Sequence, residues 1–265
     1  MTEEDLLGFK NWFEEFTKKY YSSIEEEQRN ILLKKEHSLR VHSNIREIAE
    51  RLLLDDNDLR IAETIGLFHD IGRFPQYAQY KTFRDADSKN HGLLGRRTLV
   101  HEHVLEKIPG EEQALILRAV QFHGVMRVPT TLDARTLLFL KMIRDADKLD
   151  IFKVFIEYYE SPVEKRASAT AFGVPDSPEY SASMVDSIMK GKIASYSSIR
   201  TENDFRLMKL SWVFDINYEP TLRILSARGD LHKIYEWLPH TEDIRAAFNE
   251  IQKYISERTK NVCSS

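Results

Sequence analysis

Residues 58–74 read DLRIAETIGLFHDIGRF, and this stretch decides the fold. Ala62, Ile65, Gly66 and His69 recur at three- and four-residue steps, which places them on one face of a helix. The segment is apolar nearly all round. A helix without a polar face is buried on every side, so this one is expected at the centre of a helical molecule. Asp70 follows at its end, so a central helix delivers a His-Asp pair into the interior. Burying an imidazole and a carboxylate without partners is costly, and the pair therefore asks what satisfies it.

Working outward, helical spacing dominates and alternating strand patterns are hard to find. Helices are predicted at about Glu4–Tyr20, Glu25–Glu36, His37–Leu54, Asp58–His69, Lys89–Glu106, Glu111–His123, Ala134–Glu160, Glu179–Lys190, Glu202–Asp215, Pro220–Ser226 and Glu242–Arg258. Ser23 with Glu26 reads as a capping box, and Asp56 or Asn57 as the cap of the helix that follows. Two stretches break the pattern. Gly72–Ser88 contains Pro75 among aromatic and charged residues, and Ser161–Ser183, rich in Ser, Ala and Pro, reads as a long loop. The expectation is an all-α fold in three parts. Residues 30–160 form the core that holds the His-Asp pair, 1–29 pack on it as N-terminal helices, and 161–265 make a helical C-terminal extension that can be continuous with the core.

Composition narrows the function. The 265 residues are 42% hydrophobic, enough for a sizeable core. Lys and Arg total 38 against 42 Asp and Glu, a formal charge of -4, which argues against a protein that coats a nucleic-acid polymer. The single cysteine, Cys263, allows no intramolecular disulfide and fits a reducing, cytoplasmic setting. The first residues, MTEEDLLGFKNWF, show no basic-then-apolar signal pattern. The apolar run that starts at Thr136 is far too short for a bilayer, so no membrane partner is expected.

Of the nine histidines, seven lie between His37 and His123, and their faces matter more than their number. His37 heads a stripe with Val41, Ile45, Ile48, Ala49 and Leu52. His91 leads Leu94, Gly95, Thr98 and Leu99, while His123 continues Ile116, Ala119 and Val120. Asp147 continues Leu140 and Ile143, whereas Asp145 falls off that face. Five helices thus each bring a ligand-type side chain inward, and convergence on metal would satisfy all of them together. Mixed imidazole and carboxylate donors suit one or two divalent ions among Mn, Fe, Co, Ni and Zn, with Mg admitted. His42 points elsewhere, His101 and His103 sit among charges, and His232 and His240 lie outside the cluster. Phe74, Tyr77 and Tyr80 read either as an aromatic wall for a base or sugar or as plain packing.

The order His37, His69-Asp70, Asp147 resembles the HD superfamily of metal-dependent phosphohydrolases. The wording agrees as well: EHSLRV at Glu36–Val41, GLFHDIGRF at Gly66–Phe74 and RDADKLD at Arg144–Asp150. A lone His-Asp dipeptide is close to what composition supplies by chance; the ordered set on buried faces is specific. The resemblance covers about half of the chain. It implies that His37, His69, Asp70 and Asp147 hold one metal, that His91 (in NHGLLG) and His123 (in AVQFHG) add a second, and that Asp70 bridges them. Bound cations bring the pKa of water near neutrality and hold the nucleophile beside a phosphoryl oxygen. Charge builds at phosphorus, so Arg73 and Lys148 are expected as phosphate contacts, or as neutralisers of an acidic pocket, with Arg127 a weaker third. The expected catalytic set is therefore Asp70, Arg73 and Lys148. The implied activity is hydrolysis of a phosphomonoester or phosphodiester, of a nucleotide or small metabolite, with homo-oligomerisation left open. Two rivals are a di-iron oxygenase of the same superfamily and a non-catalytic sensor of metal or nucleotide.

Overall fold

The computed structural model describes residues 1–162 and 173–260; Cys263 and part of the Ser161–Ser183 loop lie outside the described residues. All regular structure among the described residues is helical. Two compact units divide the chain between Asp150 and Ile151, inside one long helix.

The first unit holds α1 (Glu3–Lys18), α2 (Glu25–Arg51), α3 (Asp56–Phe68), α4 (Arg73–Tyr80), α5 (His91–His101), α6 (Gly110–Phe122) and the first half of α7 (Ala134–Glu160). Every residue of α3 from Ile61 to Phe68 is buried, as its all-round apolar sequence requires. It packs against α2, α1 and α6. Gly66 lets α2 approach: a Cβ there would stand 2.8 Å from the His42 Cα and 2.7 Å from the Ile45 side chain. Gly72 does the same at the turn after Asp70, where a Cβ would fall 2.1 Å from the carbonyl oxygen of His91 on α5. Phe9 and Trp12 of α1 meet Phe68 edge-on, and Phe13 and Phe16 meet Phe74 of α4.

Several sequence expectations need correction. Glu25–Glu36 and His37–Leu54 are one helix, α2, because no Gly or Pro interrupts the run between them. The Ser23–Glu26 capping box does not form. The chain enters α2 at Ile24, one residue too late, and Ser22 Oγ accepts from the Ile24 N–H instead. Asp55, rather than Asp56 or Asn57, caps α3 by accepting from Asp58 N at 2.8 Å. Gly72–Ser88 is not helix-free: Arg73–Tyr80 forms α4, since Pro75 sits in its first turn, where a missing N–H costs no intrahelical bond. The helix predicted over Lys89–Glu106 is confined to His91–His101 and capped by Asn90.

The second unit contains the rest of α7, α8 (Ala182–Met189), α9 (Glu202–Ser211), α10 (Glu219–Arg228), α11 (Asp230–Glu236) and α12 (Glu242–Lys260). Thr201 caps α9 through a reciprocal box with Asp204. The end of the predicted Glu202–Asp215 helix tightens into a 3-10 turn over Trp212–Asp215. The sequence gives no sign of α11: it is seven residues long, too short for a period, and Gly229 in a left-handed conformation (φ 70°) separates it from α10. Its core gathers Met184, Ile188, Met208, Leu222, Leu225, Ile234 and Ile251. No helix among the described residues is long and apolar enough to cross a membrane.

Candidate metal centre

Four imidazoles and two carboxylates meet inside the first unit. His37 comes from the middle of α2, His69 and Asp70 from the end of α3, His91 from the first turn of α5, His123 from the end of α6 and Asp147 from α7. His37, His69, Asp70, His91 and His123 are all buried.

Each ring is oriented by its Nδ1. His69 lies at the C-terminal cap of α3 and donates to the Gly66 carbonyl at 2.8 Å; His123, at the cap of α6, donates to that of Val120 at 2.8 Å. A carbonyl only accepts, which fixes the proton on Nδ1 and leaves a lone pair on Nε2. His37 Nδ1 donates to Asp150 Oδ2 at 2.6 Å, and His91 Nδ1 to Asp85 Oδ2 at 2.8 Å. Arg40 in turn holds Asp150 through two bonds, Nε to Oδ1 at 2.6 Å and Nη2 to Oδ2 at 3.0 Å.

The four Nε2 atoms therefore face inward, and what they face are other acceptors. His37 Nε2 lies 3.2 Å from His69 Nε2 and 3.1 Å from Asp147 Oδ1. His91 Nε2 lies 3.0 Å from His123 Nε2. Asp70 stands between the pairs. Its Oδ2 is 3.7 Å from His37 and 3.8 Å from His69, while its Oδ1 is 3.5 Å from His91 and 3.7 Å from His123. Lone pairs that converge at such distances repel unless a cation lies among them. This donor set fits divalent metal: His37, His69 and Asp70 can hold an ion, as can Asp70, His91 and His123, and His69, His123 and Asp147 also come within ligating reach of one another.

Titration agrees. Burial pushes His69 down to about 3, and burial together with the nearby Arg73 charge pushes His91 down to about 4, so both are neutral at physiological pH. Burial opposes ionisation of Asp70, but Lys34 and Arg73 outweigh it and keep the carboxyl well below its ordinary value. Burial also lowers His37, yet the carboxylates of Asp147 and Asp150 prevail and raise it.

The residues around this pocket divide clearly. Arg73 is held by protein groups: its guanidinium donates to Asp70 Oδ1 at 3.3 Å, Gln76 Oε1 at 3.1 Å, Asp85 Oδ1 at 3.0 Å and the Phe83 carbonyl. Lys148 reaches back along its own helix, with Nζ 3.4 Å from the Arg144 carbonyl. Arg127 is exposed. Phe74 and Tyr77 are buried, Phe74 among the rings of α1 and Tyr77 against Phe83, so packing is their role. His42 bonds Glu63 on α3, and His101 and His103 are exposed. Sequence reasoning passed over four participants: Lys34, Arg40, Asp85 and Asp150. Three carried a signal, because Lys34 and Arg40 lie three residues either side of His37 and Asp150 three after Asp147, each on its neighbour's face. Asp85 carried none, since its segment has no period.

Residues 35–151 match the family model described as the HD domain. This segment, a little under half of the chain, is similar to the HD domain of the superfamily of metal-dependent phosphohydrolases. No curated protein and no solved structure matches the chain. The HD domain runs from the middle of α2 to Asp150 and its neighbour Ile151, and so contains every His and Asp of the cluster. Its family binds divalent metals, and the His and Asp groups described above can hold one.

Proposed function

We propose that the chain is a metal-dependent phosphohydrolase acting on a phosphomonoester or phosphodiester, with a nucleotide or a related small metabolite as substrate. His37, His69, Asp70 and Asp147 would hold one divalent ion, and Asp70, His91 and His123 a second. One observation carries the reading: the two oxygens of Asp70 face opposite pairs of imidazole lone pairs, each 3.5–3.8 Å away. A single carboxylate so placed could serve two cations, one on each side.

When bound, such ions supply water of lowered pKa and neutralise charge that develops at phosphorus. The protein's own groups do the rest. Asp150 and Asp85 hold the protons of His37 and His91 on Nδ1, keeping both Nε2 lone pairs aimed inward. Arg73 links Asp70 to Asp85, so the bridging carboxylate and the group that orients His91 share one strut. The buried walls from α3 and α6 keep bulk water from the ligands, which strengthens every charge interaction there.

The test begins with metal-stripped protein and a panel of nucleotides, phosphomonoesters and phosphodiesters, each with Mn, Fe, Co, Ni, Zn or Mg restored. Metal-dependent release of phosphate or nucleoside monophosphate, at the same rate without oxygen, is expected. Failure of every ester with every metal would sink the proposal.

A further inference from the structure

Three cations surround the bridging carboxylate or its neighbours, and their engagements differ. Arg73 is fastened to Asp70, Gln76, Asp85 and the Phe83 carbonyl, which makes it part of the frame. Lys148 turns toward the Arg144 carbonyl on its own helix. Lys34, one turn before His37 on α2, reaches the pocket itself. Its Nζ lies 2.8 Å from Asp70 Oδ2, the oxygen that also faces His37 and His69. Its side chain is 20% exposed, and the ammonium stands 5.5 Å from the centre of the Phe83 ring. Lys34 thus spans from solvent to the position where positive charge is most needed.

In the metal-free protein this ammonium is a counter-ion of Asp70. A divalent ion beside the same oxygen would reduce the attraction and repel the ammonium at short range. The lysine stem is flexible and its three donors rotate, so a small withdrawal toward the rim leaves them available to a bound anion. Arg73 cannot make that move without leaving four partners. We infer that Lys34 binds the phosphoryl oxygens of the substrate, having served as the internal counter-ion of Asp70 before metal enters. The inference rests on the phosphohydrolase reading, and it assigns a contact that Arg73 and Lys148 are otherwise expected to make.

Inorganic phosphate is the probe. Its affinity for Mn-loaded protein, measured by calorimetry, should fall about tenfold or more in Lys34→Met, as expected for loss of a charge-assisted bond. Lys34→Arg should recover most of it. Mn affinity, measured by competition with a chelator, should be unchanged or tighter in Lys34→Met, because a competing cation has gone. Lys34→Gln repeats the measurement should Lys34→Met fail to fold. Phosphate affinity within twofold of the parent, no phosphate binding by the parent, or an equal loss of Mn affinity would each overturn the assignment. If phosphate binding depends on Lys34 while no ester is turned over, the contact stands and the hydrolase reading fails. If esters are cleaved and Lys34→Met binds phosphate normally, the reverse holds.

Discussion

The two halves of the pocket are built on one plan and differ in charge. Each contains one histidine at a helix C-terminus, tied to the carbonyl three residues back (His69 to Gly66, His123 to Val120), and one held by a carboxylate (His37 by Asp150, His91 by Asp85). Both share Asp70. The first half also has Asp147, 3.1 Å from His37, and an orienting Asp150 that is 1% exposed and pinned by Arg40. In the second half Asp70 is the carboxylate that faces both Nε2 atoms, and the orienting Asp85 is 33% exposed. Affinity for a hard divalent cation rises with anionic ligands, so the first half should bind more tightly and lose its ion last.

The comparison breaks most completely at the shared residue. Asp70→Ala should empty both halves and remove turnover by more than the roughly 100-fold that outer partners cost, while the far-ultraviolet dichroism stays helical. Retention of either ion, counted by elemental analysis, would show that the bridge is not shared. Single imidazoles come next. His91→Ala should leave one equivalent of tightly bound metal, whereas His37→Ala should weaken the tighter equivalent; equal stoichiometry in the two variants would erase the distinction between halves.

The orienting carboxylates sharpen it further. Asp150→Asn and Asp85→Asn should lower metal affinity by about 10- to 100-fold, the range for partners of ligating histidines. The buried Asp150, which also carries Arg40, should lie at the upper end, and chelator competition would reveal the order. A separate effect, independent of bound metal, is on acid stability. His69 and His91 titrate at about 3 and about 4 when folded, below an unfolded value near 6.5. The unfolded chain therefore takes up protons first, and each group costs roughly 1.4 kcal/mol per pH unit as pH falls from about 6.5 toward its folded value. His37 is raised and acts oppositely: its contribution is present below about 6.5 and lost as pH rises through its folded pKa. His91→Gln should flatten the decline between pH 6.5 and 4 in thermal melts, and an unchanged slope would refute the burial argument.

Much of this site was legible before any coordinates. The stripes through His37, His91 and His123 put those side chains on buried faces, and the apolar surround of Ala62–His69 made α3 central; on α7 the reading needs correction, since Asp145, expected off the inward face, is fully buried while Asp147 is 22% exposed. The supporting residues were harder. Lys34, Arg40 and Asp150 share faces with the ligands, but an i,i+3 charge is as common on a solvated face as at a site. Arg73 shows the opposite problem: the sequence gives its charge and its closeness to Asp70, yet not that Asp85, Gln76 and Phe83 would claim its donors.

What the sequence determined by itself is periodic: helices, their inward faces and the ordered His and Asp donors, because a 3.6-residue repeat is a property of neighbouring letters. What only the tertiary structure decided is which lone pairs face one another. The split of Asp70 between two imidazole pairs, the approach of Lys34 and the clamp of Asp85 on His91 depend on close passage of helix backbones, permitted by Gly66 and Gly72, between segments far apart in the chain. No local pattern encodes that distance.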